Sequence, residues 1–392
     1  MSRRHVSVHR TAITDALAEL SGRETVPLAR ARGRVLVADV AALAPMPAFD
    51  NSAMDGFAVR AAEVVIDSPL PVATRIFAGD TGPGPLLPGT VAAIMTGAPL
   101  PAGADAVVPV EQSDERADTV SFSAAPDVGA FIRRAAADVA AGTLVVPGGT
   151  VLAPRHLAAL AATGTAAVDV FRRPRVAVIS TGSELVSPGA PLAFGQVYES
   201  NSVILAALCT AHGAQVTYAD RAGDDGDFEQ KLAAAVATAD VVLTSGGVSM
   251  GEREPVRDLL SDTGWFGPVA MQPGGPQGLT RWRDTPVISL PGNPVSVMVS
   301  FEVLVRSALR SVSGLPEVQP TSATLVADVT SIAGKTQYLR GCLQADGTVE
   351  VVGGAGSHLV ATAANSNVLI EIDSAAEYLP AGQEVPTWPL TQ

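Results

Sequence analysis

The chain has 392 residues, 47% hydrophobic and 17% charged, which excludes a disordered chain and sets an expectation of roughly two to four separate cores. A formal charge of −13 excludes a basic nucleic-acid face but leaves room for a local pocket that takes a small anion. Cys209 and Cys342 are the only cysteines and have no C-x-x-C partner, so a disulfide framework and a zinc knuckle are not expected, and a reducing compartment fits.

The N-terminus, M-S-R-R-H-V-S-V-H-R, lacks the apolar segment of a secretion signal, and no apolar stretch reaches membrane-spanning length. A cytoplasmic protein that contacts neither membrane nor nucleic acid is expected. Residues 9–20 place Ile13, Ala16, Leu17 and Leu20 at helical spacing. Segments 72–77, 91–95, 105–110 and 119–122 are short and Val-rich between Pro/Gly clusters, and predict a small β domain. A helix follows over 154–163, with Pro154 in its first turn and Gly164 ending it.

From Arg175 the pattern alternates strand and helix: strands at 175–181, 214–218, 240–244 and 286–290, helices at 201–213, 227–239 and 254–261. That rhythm predicts a doubly wound parallel sheet covered on both faces. A long helix runs from Pro294 to about Ser313, with Asn293 as its cap. Residues 321–392 hold only short alternating runs and predict a C-terminal β-barrel or sandwich. The expected organisation is an α/β multidomain chain: 1–47 with 141–173 as a helical and linking domain, 48–140 as the inserted β domain, 174–314 as the α/β domain, and 315–392 as the C-terminal β domain.

Three loops leave the carboxyl ends of predicted strands, where ligands of doubly wound sheets bind. They are S-T-G-S-E-L (180–185), T-S-G-G-V-S-M-G-E-R-E-P (244–255) and P-G-N-P (291–294). Ser245, Gly246, Gly247, Ser249, Pro291, Gly292 and Pro294 are the candidate contacts for an anionic ligand, through backbone amides and close approach. Glu184, Asp224, Glu252 and Glu254 lie at the same edge. One reading makes them helix-start charges, the preferred one for Glu252. The other makes Glu184, Asp224 and Glu254 oxygen ligands of Mg²⁺, which would bridge them to phosphate. In the insert, P-A-F-D-N-S-A-M-D-G-F-A-V-R (47–60) carries Asp50 and Asn51, which read as a turn bonding its own backbone, and Asp55, which does not. Thr96-Gly97 is a second exposed polar tip. No Ser-His-Asp or Cys-His set has workable spacing, so covalent catalysis is not expected.

Together F-D-N-S-A-M-D-G-F-A-V-R, I-M-T-G-A-P, T-G-S-E-L, N-S at 201–202, T-S-G-G-V-S-M-G-E and L-P-G-N-P-V-S resemble, in order along nearly the whole chain, the molybdopterin molybdenumtransferases: MoeA of bacteria and the E domain of gephyrin. The resemblance implies insertion of molybdate into adenylylated molybdopterin with release of AMP and support from Mg²⁺. It implies a homodimer whose active cleft is shared between subunits, and contacts with the molybdopterin adenylyltransferase and acceptor molybdoenzymes. By motif it assigns Asp55, Thr96, Glu184, Asp224 and Glu254 to catalysis. Gly274, Pro291, Pro294, Asp138 and Arg340 join the glycine loops in holding substrate.

The chain departs from the family pattern at three places. Residues 268–278 read P-V-A-M-Q-P-G-G-P-Q-G, without the lysines usual around a P-G-K-P motif, and Arg253, Arg281 and Arg283 are the nearest replacements. Glu254 stands where Asp is common, and R-R-A-A-A-D (133–138) replaces R-R-x-G-E-D. These gaps keep open an alternative, a weakened or non-catalytic paralogue that binds molybdopterin or acts as a scaffold. An enzyme of the earlier adenylylation step is a further alternative, disfavoured because that group reads T-S-G-G-T-G.

Overall fold

The computed structural model describes residues 3–223, 227–249 and 254–390. The chain forms two compact units: Met1–Thr25 with Arg34–Val37 and Asp169–Gln392, and Val26–Gly33 with Ala38–Val168. Helix α1 (Val6–Ala18) belongs to the first unit and begins earlier than the 9–20 pattern, because the His5 ring accepts a hydrogen bond from the Ser7 N–H. Its buried stripe is Val6, His9, Ile13 and Leu17.

The second unit is built on six strands, β1 (Gly56–Val59), β2 (Leu70–Ile76), β3 (Val91–Ile94), β4 (Ala106–Pro109), β5 (Ser113–Arg116) and β6 (Thr119–Phe122), in the order β4-β1-β3-β2-β6-β5. Alternate residues feed two cores: Phe57, Val59, Val91 and Val108 face one, and Ala58, Ala92, Ile94 and Val107 the other. Gly56 opens β1 against β4, where a Cβ would run into the Val108 carbonyl. Helix α2 (Pro154–Ala162) starts on Pro154, and Gly164 beyond its end has φ +96°.

In the first unit the α/β domain comprises β7 (Arg175–Thr181), α3 (Asn201–Ala211), β8 (Gln215–Ala222), α4 (Phe228–Val236), β9 (Val241–Ser245), α5 (Pro255–Leu260), β10 (Gly264–Pro268), β11 (Pro276–Trp282), β12 (Thr285–Leu290), α6 (Pro294–Ser300) and α7 (Arg306–Val312). The sheet order is β8-β7-β9-β12-β11-β10; β8, β7, β9 and β12 are parallel, and β11 and β10 form an antiparallel edge that the sequence pattern does not announce. β7, β9 and β12 are apolar on both faces, while β8 at the sheet edge carries Gln215, Thr217, Asp220 and Arg221. Val176, Val178, Leu243 and Ile288 pack with α1, α3, α6 and α7, while Ala177, Ile179, Val242 and Val287 pack with α4 and α5. The helix expected from Pro294 to Ser313 is interrupted by a π turn over Phe301–Val305, all five residues of which are buried.

The C-terminal strands β13 (Thr321–Leu325), β14 (Thr336–Leu343), β15 (Thr348–Val351), β16 (Val368–Ile372) and β17 (Glu384–Pro389) close into a barrel in the order β14-β15-β13-β17-β16-β14. Met271–Gln272, inside the lysine-free segment, pairs in parallel with the start of β14. Among the described residues no helix is long and apolar enough to cross a membrane.

Candidate active site

The parallel strands β7, β9 and β12 end side by side, with Ser180 opposite Ser245 and Ser245 opposite Leu290. Their loops are fastened to one another. The Ser245 hydroxyl donates to Ser180 Oγ at 3.2 Å, Thr181 Oγ1 donates to the Ser245 carbonyl at 3.2 Å, and the Gly246 N–H donates to the Leu290 carbonyl at 3.1 Å. Asn201 Nδ2 donates to the Gly292 carbonyl at 2.7 Å. Gly246 has φ +83°, and a Cβ there would stand 2.6 Å from the Thr181 carbonyl oxygen, so only glycine lets the two loops approach this closely.

Beneath the loops lies Glu199, 5% exposed and absent from the sequence-based candidates. Its carboxylate accepts from Ser180 Oγ at 2.8 Å, from the Ser202 N–H at 2.7 Å and from Ser202 Oγ at 2.5 Å. The signal was an acid just ahead of N-S at a helix start, where a carboxylate satisfies first-turn donors. Its second role, tying α3 to the end of β7, depends on strand positions that no local pattern carries.

The remaining candidates divide by environment. Gly247 (φ +66°) accepts the Arg257 N–H at 3.0 Å, and the exposed Ser249 gives its carbonyl to Arg257 Nη1 at 2.9 Å. Pro291 is buried, Gly292 is exposed, and Pro294 opens α6. Asn293 does not cap α6 with its side chain; its amide donates instead to Ser357 Oγ at 3.1 Å, while the Val295 N–H donates to the Ser357 carbonyl at 3.2 Å. Arg340, 1% exposed, holds that barrel loop through the carbonyls of Gly354 at 2.7 Å and Gly356 at 3.1 Å. Burial lowers its pKa. Its guanidinium therefore braces the loop that braces α6. Gly274 is buried at φ +105°, and its carbonyl accepts from Gln277 Nε2 at 2.8 Å.

Glu184 is exposed on the turn after β7, and Glu254 is part-buried as the residue preceding α5, where its carbonyl accepts the Asp258 N–H at 2.8 Å. Asp224, Glu252 and Arg253 lie outside the described residues. Among the described residues no three or more His, Cys, Asp or Glu come together to hold a metal ion.

In the second unit the exposed Asp55 accepts from both the Thr96 N–H and Thr96 Oγ1 at 2.7 Å. The backbone bond, then the hydroxyl bond, hold its carboxyl below the usual carboxylate range, so it carries its charge at neutral pH. The two exposed polar tips read separately from the sequence are thus one hydrogen-bonded pair. Asp50 does not bond its own turn: Oδ1 accepts from the Ala135 N–H at 2.8 Å and Oδ2 pairs with Arg134 at 2.7 Å, both of which hold its pKa down. Asp138 is exposed, its N–H donating to the Met46 carbonyl at 3.0 Å.

A pocket of about 460 Å³ opens beside the glycine loop of β9. Val248, Ser249 and Phe266 line it together with three cations, Arg3, Arg257 and Lys335. Arg281 and Arg283, the nearest replacements for the missing lysines in sequence, do not line this pocket. Arg281 donates to the Asp284 carbonyl at 2.8 Å, and Arg283 lies over the Trp282 ring at 5.9 Å, both in the hairpin between β11 and β12. β11 starts at the pocket with Pro276, and at ~3.3 Å per residue its far end, Trp282, is about 20 Å away.

Comparison with known proteins covers nearly the whole chain. Residues 4–164 match the family model of the MoeA N-terminal region (domain I and II), 177–311 that of a probable molybdopterin binding domain, and 322–390 that of the MoeA C-terminal region (domain IV). The molybdopterin molybdenumtransferase 2 of Mycobacterium tuberculosis is 46% identical over 384 residues, 94% of this chain and 95% of that protein. The molybdopterin molybdenumtransferase of Haemophilus influenzae is 34% identical over 377 residues, 93% of each. Two solved structures of molybdopterin biosynthesis MoeA proteins from Pyrococcus horikoshii align with TM-scores of 0.77 and 0.70 at 30% and 27% identity, covering 96% and 99% of this chain and 98% and 100% of theirs. The ordered motifs, the two-faced sheet, the closed barrel and these matches agree: the chain belongs to the MoeA family of molybdopterin molybdenumtransferases.

Proposed function

We propose that the protein acts in molybdenum cofactor biosynthesis, taking adenylylated molybdopterin and molybdate, releasing AMP and delivering molybdenum to the dithiolene. The observation that carries this reading is the hydrogen-bonded convergence of the three chemically loaded loops on one sheet edge, through Ser180–Ser245, Gly246–Leu290 and Asn201–Gly292. A preformed edge of this kind positions a reactant without reorganising, so its contribution is orientation and electrostatics rather than a nucleophile. Asp55, ionised by its bonds from Thr96, offers a fixed negative charge at an exposed tip.

Glu184 and Glu254 supply oxygen donors of the kind Mg²⁺ takes together with substrate phosphates, where the ion would screen phosphate charge. The family resemblance supports a homodimer, hand-over partners in the adenylyltransferase and acceptor molybdoenzymes, and a cytoplasmic setting. The test is AMP release from adenylylated molybdopterin with and without molybdate. Wild type releases AMP only with molybdate, and Asp55→Asn, at an exposed position, keeps the fold and loses release. Tight substrate binding with no release by wild type would overturn the reading.

A further inference from the structure

We infer that Glu199 is a positioning residue for the transfer reaction: its buried carboxylate aligns the three loops with one another and governs turnover without touching substrate. The inference rests on the proposed function for the reaction in which its effect is read.

The first support is connectivity. On one side Glu199 Oε1 accepts from Ser180 Oγ, which itself accepts from the Ser245 hydroxyl, so the carboxylate reaches the ends of β7 and β9. On the other side it takes both the N–H and the hydroxyl of Ser202 in the first turn of α3. Asn201, the first residue of that helix, holds the Gly292 carbonyl in the loop after β12. All three loops are thus linked through one side chain. The second support is direction. A carboxylate only accepts, so Ser180 spends its single proton on Glu199 and its oxygen is left to accept from Ser245. The chain of bonds from Ser245 through Ser180 to Glu199 has one polarity, and it fixes both hydroxyls at the strand ends.

The third is burial. Glu199 is 5% exposed, Ser180 0% and Ser245 1%, so these side chains act on a ligand only through the backbone they hold. An acid this deep is costly unless it is hydrogen-bonded. Starting α3 would need only the Ser202 bonds; the bond from Ser180 has no part in it. The anchor of Glu199 is itself tied to the first loop. Leu185–Val186 pairs in parallel with Val197–Tyr198, the Glu199 N–H donates to the Val186 carbonyl at 2.8 Å, and the Val197 N–H donates to the Glu184 carbonyl at 3.0 Å. The loop that carries Glu184 is therefore held at the same point. Misplacing reacting groups by about 1 Å costs on the order of a hundredfold in rate, which makes alignment of the loops a matter of kcat.

Steady-state AMP release by the full chain tests this, together with hydrogen–deuterium exchange of the Gly246 amide, which bonds the Leu290 carbonyl. Glu199→Met keeps a similar volume and removes all three bonds. It should lower kcat about tenfold or more and move the KM for adenylylated molybdopterin by less than about threefold. Glu199→Gln keeps an oxygen for Ser180 and turns its amide to Ser202 Oγ, so it should recover kcat to within about threefold of wild type. Ser180→Ala leaves the start of α3 intact. It should lower kcat and quicken Gly246 exchange, and it should add nothing in the Glu199→Met background, where the chain of bonds is already cut. The inference is overturned if Ser180→Ala changes neither kcat nor exchange, which leaves Glu199 a helix-start charge. It is also overturned if Glu199→Gln loses as much as Glu199→Met, which places the effect in charge rather than alignment. Should Glu199→Met fail to fold, Ser180→Ala and Glu199→Gln still decide between these outcomes. Failure of the functional reading looks different: wild type releases no AMP, while Gly246 exchange still responds to Ser180→Ala.

Discussion

Two crevices in the first unit are each lined by three cations. One holds Arg10, Arg306 and Arg310 with Glu302 and Glu317 among them; the other holds Arg3, Arg257 and Lys335 with no acid in its described lining. In the first, Arg306 and Glu302 pair at 2.6 Å with side chains only 5% and 1% exposed, and Arg306 also donates to the Pro389 carbonyl at 2.8 Å. That crevice is structural: it joins the π turn and α7 to the last barrel strand through charges that satisfy each other. In the second, Arg257 is fastened to the glycine loop, its N–H donating to the Gly247 carbonyl and its Nη1 to the Ser249 carbonyl. Counting arginines does not separate the two; the elements that hold each guanidinium do.

The largest expected effect lies in the paired crevice. Glu302→Gln strands the Arg306 guanidinium in the interior and should cost about 3–5 kcal/mol of unfolding free energy in urea titration. Lys335→Gln should change it by less than about 0.5 kcal/mol. Equal losses at both sites would erase the distinction.

Acid sharpens the same contrast. His212 contacts Arg310 at 3.2 Å, and burial, then Arg310 and Arg306, lower its pKa from 6.5 to about 4. The unfolded chain therefore binds the proton more tightly. Stability is full above about pH 6.5 and falls as pH drops toward 4, by at most about 3 kcal/mol for this group. Replacing His212 with Gln should flatten that part of a stability-versus-pH curve. His9, also lowered to about 4 by burial and by Arg4, leaves a residual slope.

Gly246→Ala should destabilise by roughly 1–3 kcal/mol, from its φ of +83° and the 2.6 Å approach to the Thr181 carbonyl, and should impair AMP release by prising the loops apart. The smallest change in stability is expected at Gly275→Lys. A Cβ there meets only the Val269 carbonyl, at 3.9 Å, so the substitution should change the unfolding free energy by less than about 0.5 kcal/mol in urea titration. A larger loss would show that the segment cannot accept a side chain at this position. Gln272→Lys is the poorer choice, because the Gln272 Oε1 accepts from Gln337 Nε2 at 2.9 Å.

Much of the fold was legible because its signals are local. β7, β9 and β12 are apolar on successive residues, as strands between two cores must be, and α3 ends at a glycine of φ +88°, Gly213. The antiparallel edge was not legible: Gly264, Gly267, Pro268, Pro276 and Gly278 are poor strand formers, and β10 and β11 exist because they pair with each other and β11 pairs with β12. The break at Phe301–Val305 was hidden because no Gly or Pro marks it and Glu302 keeps helical spacing to its partner Arg306.

The candidate site divides the same way. The sequence by itself determined which loops are candidates, because glycines and acids after apolar strands are patterns within a dozen residues. It also determined the family, because the motifs occur in order along the chain. Only the tertiary structure decided what each polar group faces. It joined Asp55 to Thr96, turned Arg340 inward onto the Gly354–Gly356 loop, and set Glu199 beneath Ser180. It also took the positive charge of the pocket from Arg3, Arg257 and Lys335 rather than from Arg281 and Arg283. The physical reason is range. Backbone preference and apolar periodicity act between neighbours in sequence, while ion pairing and burial act between neighbours in space, which the folded chain alone assigns.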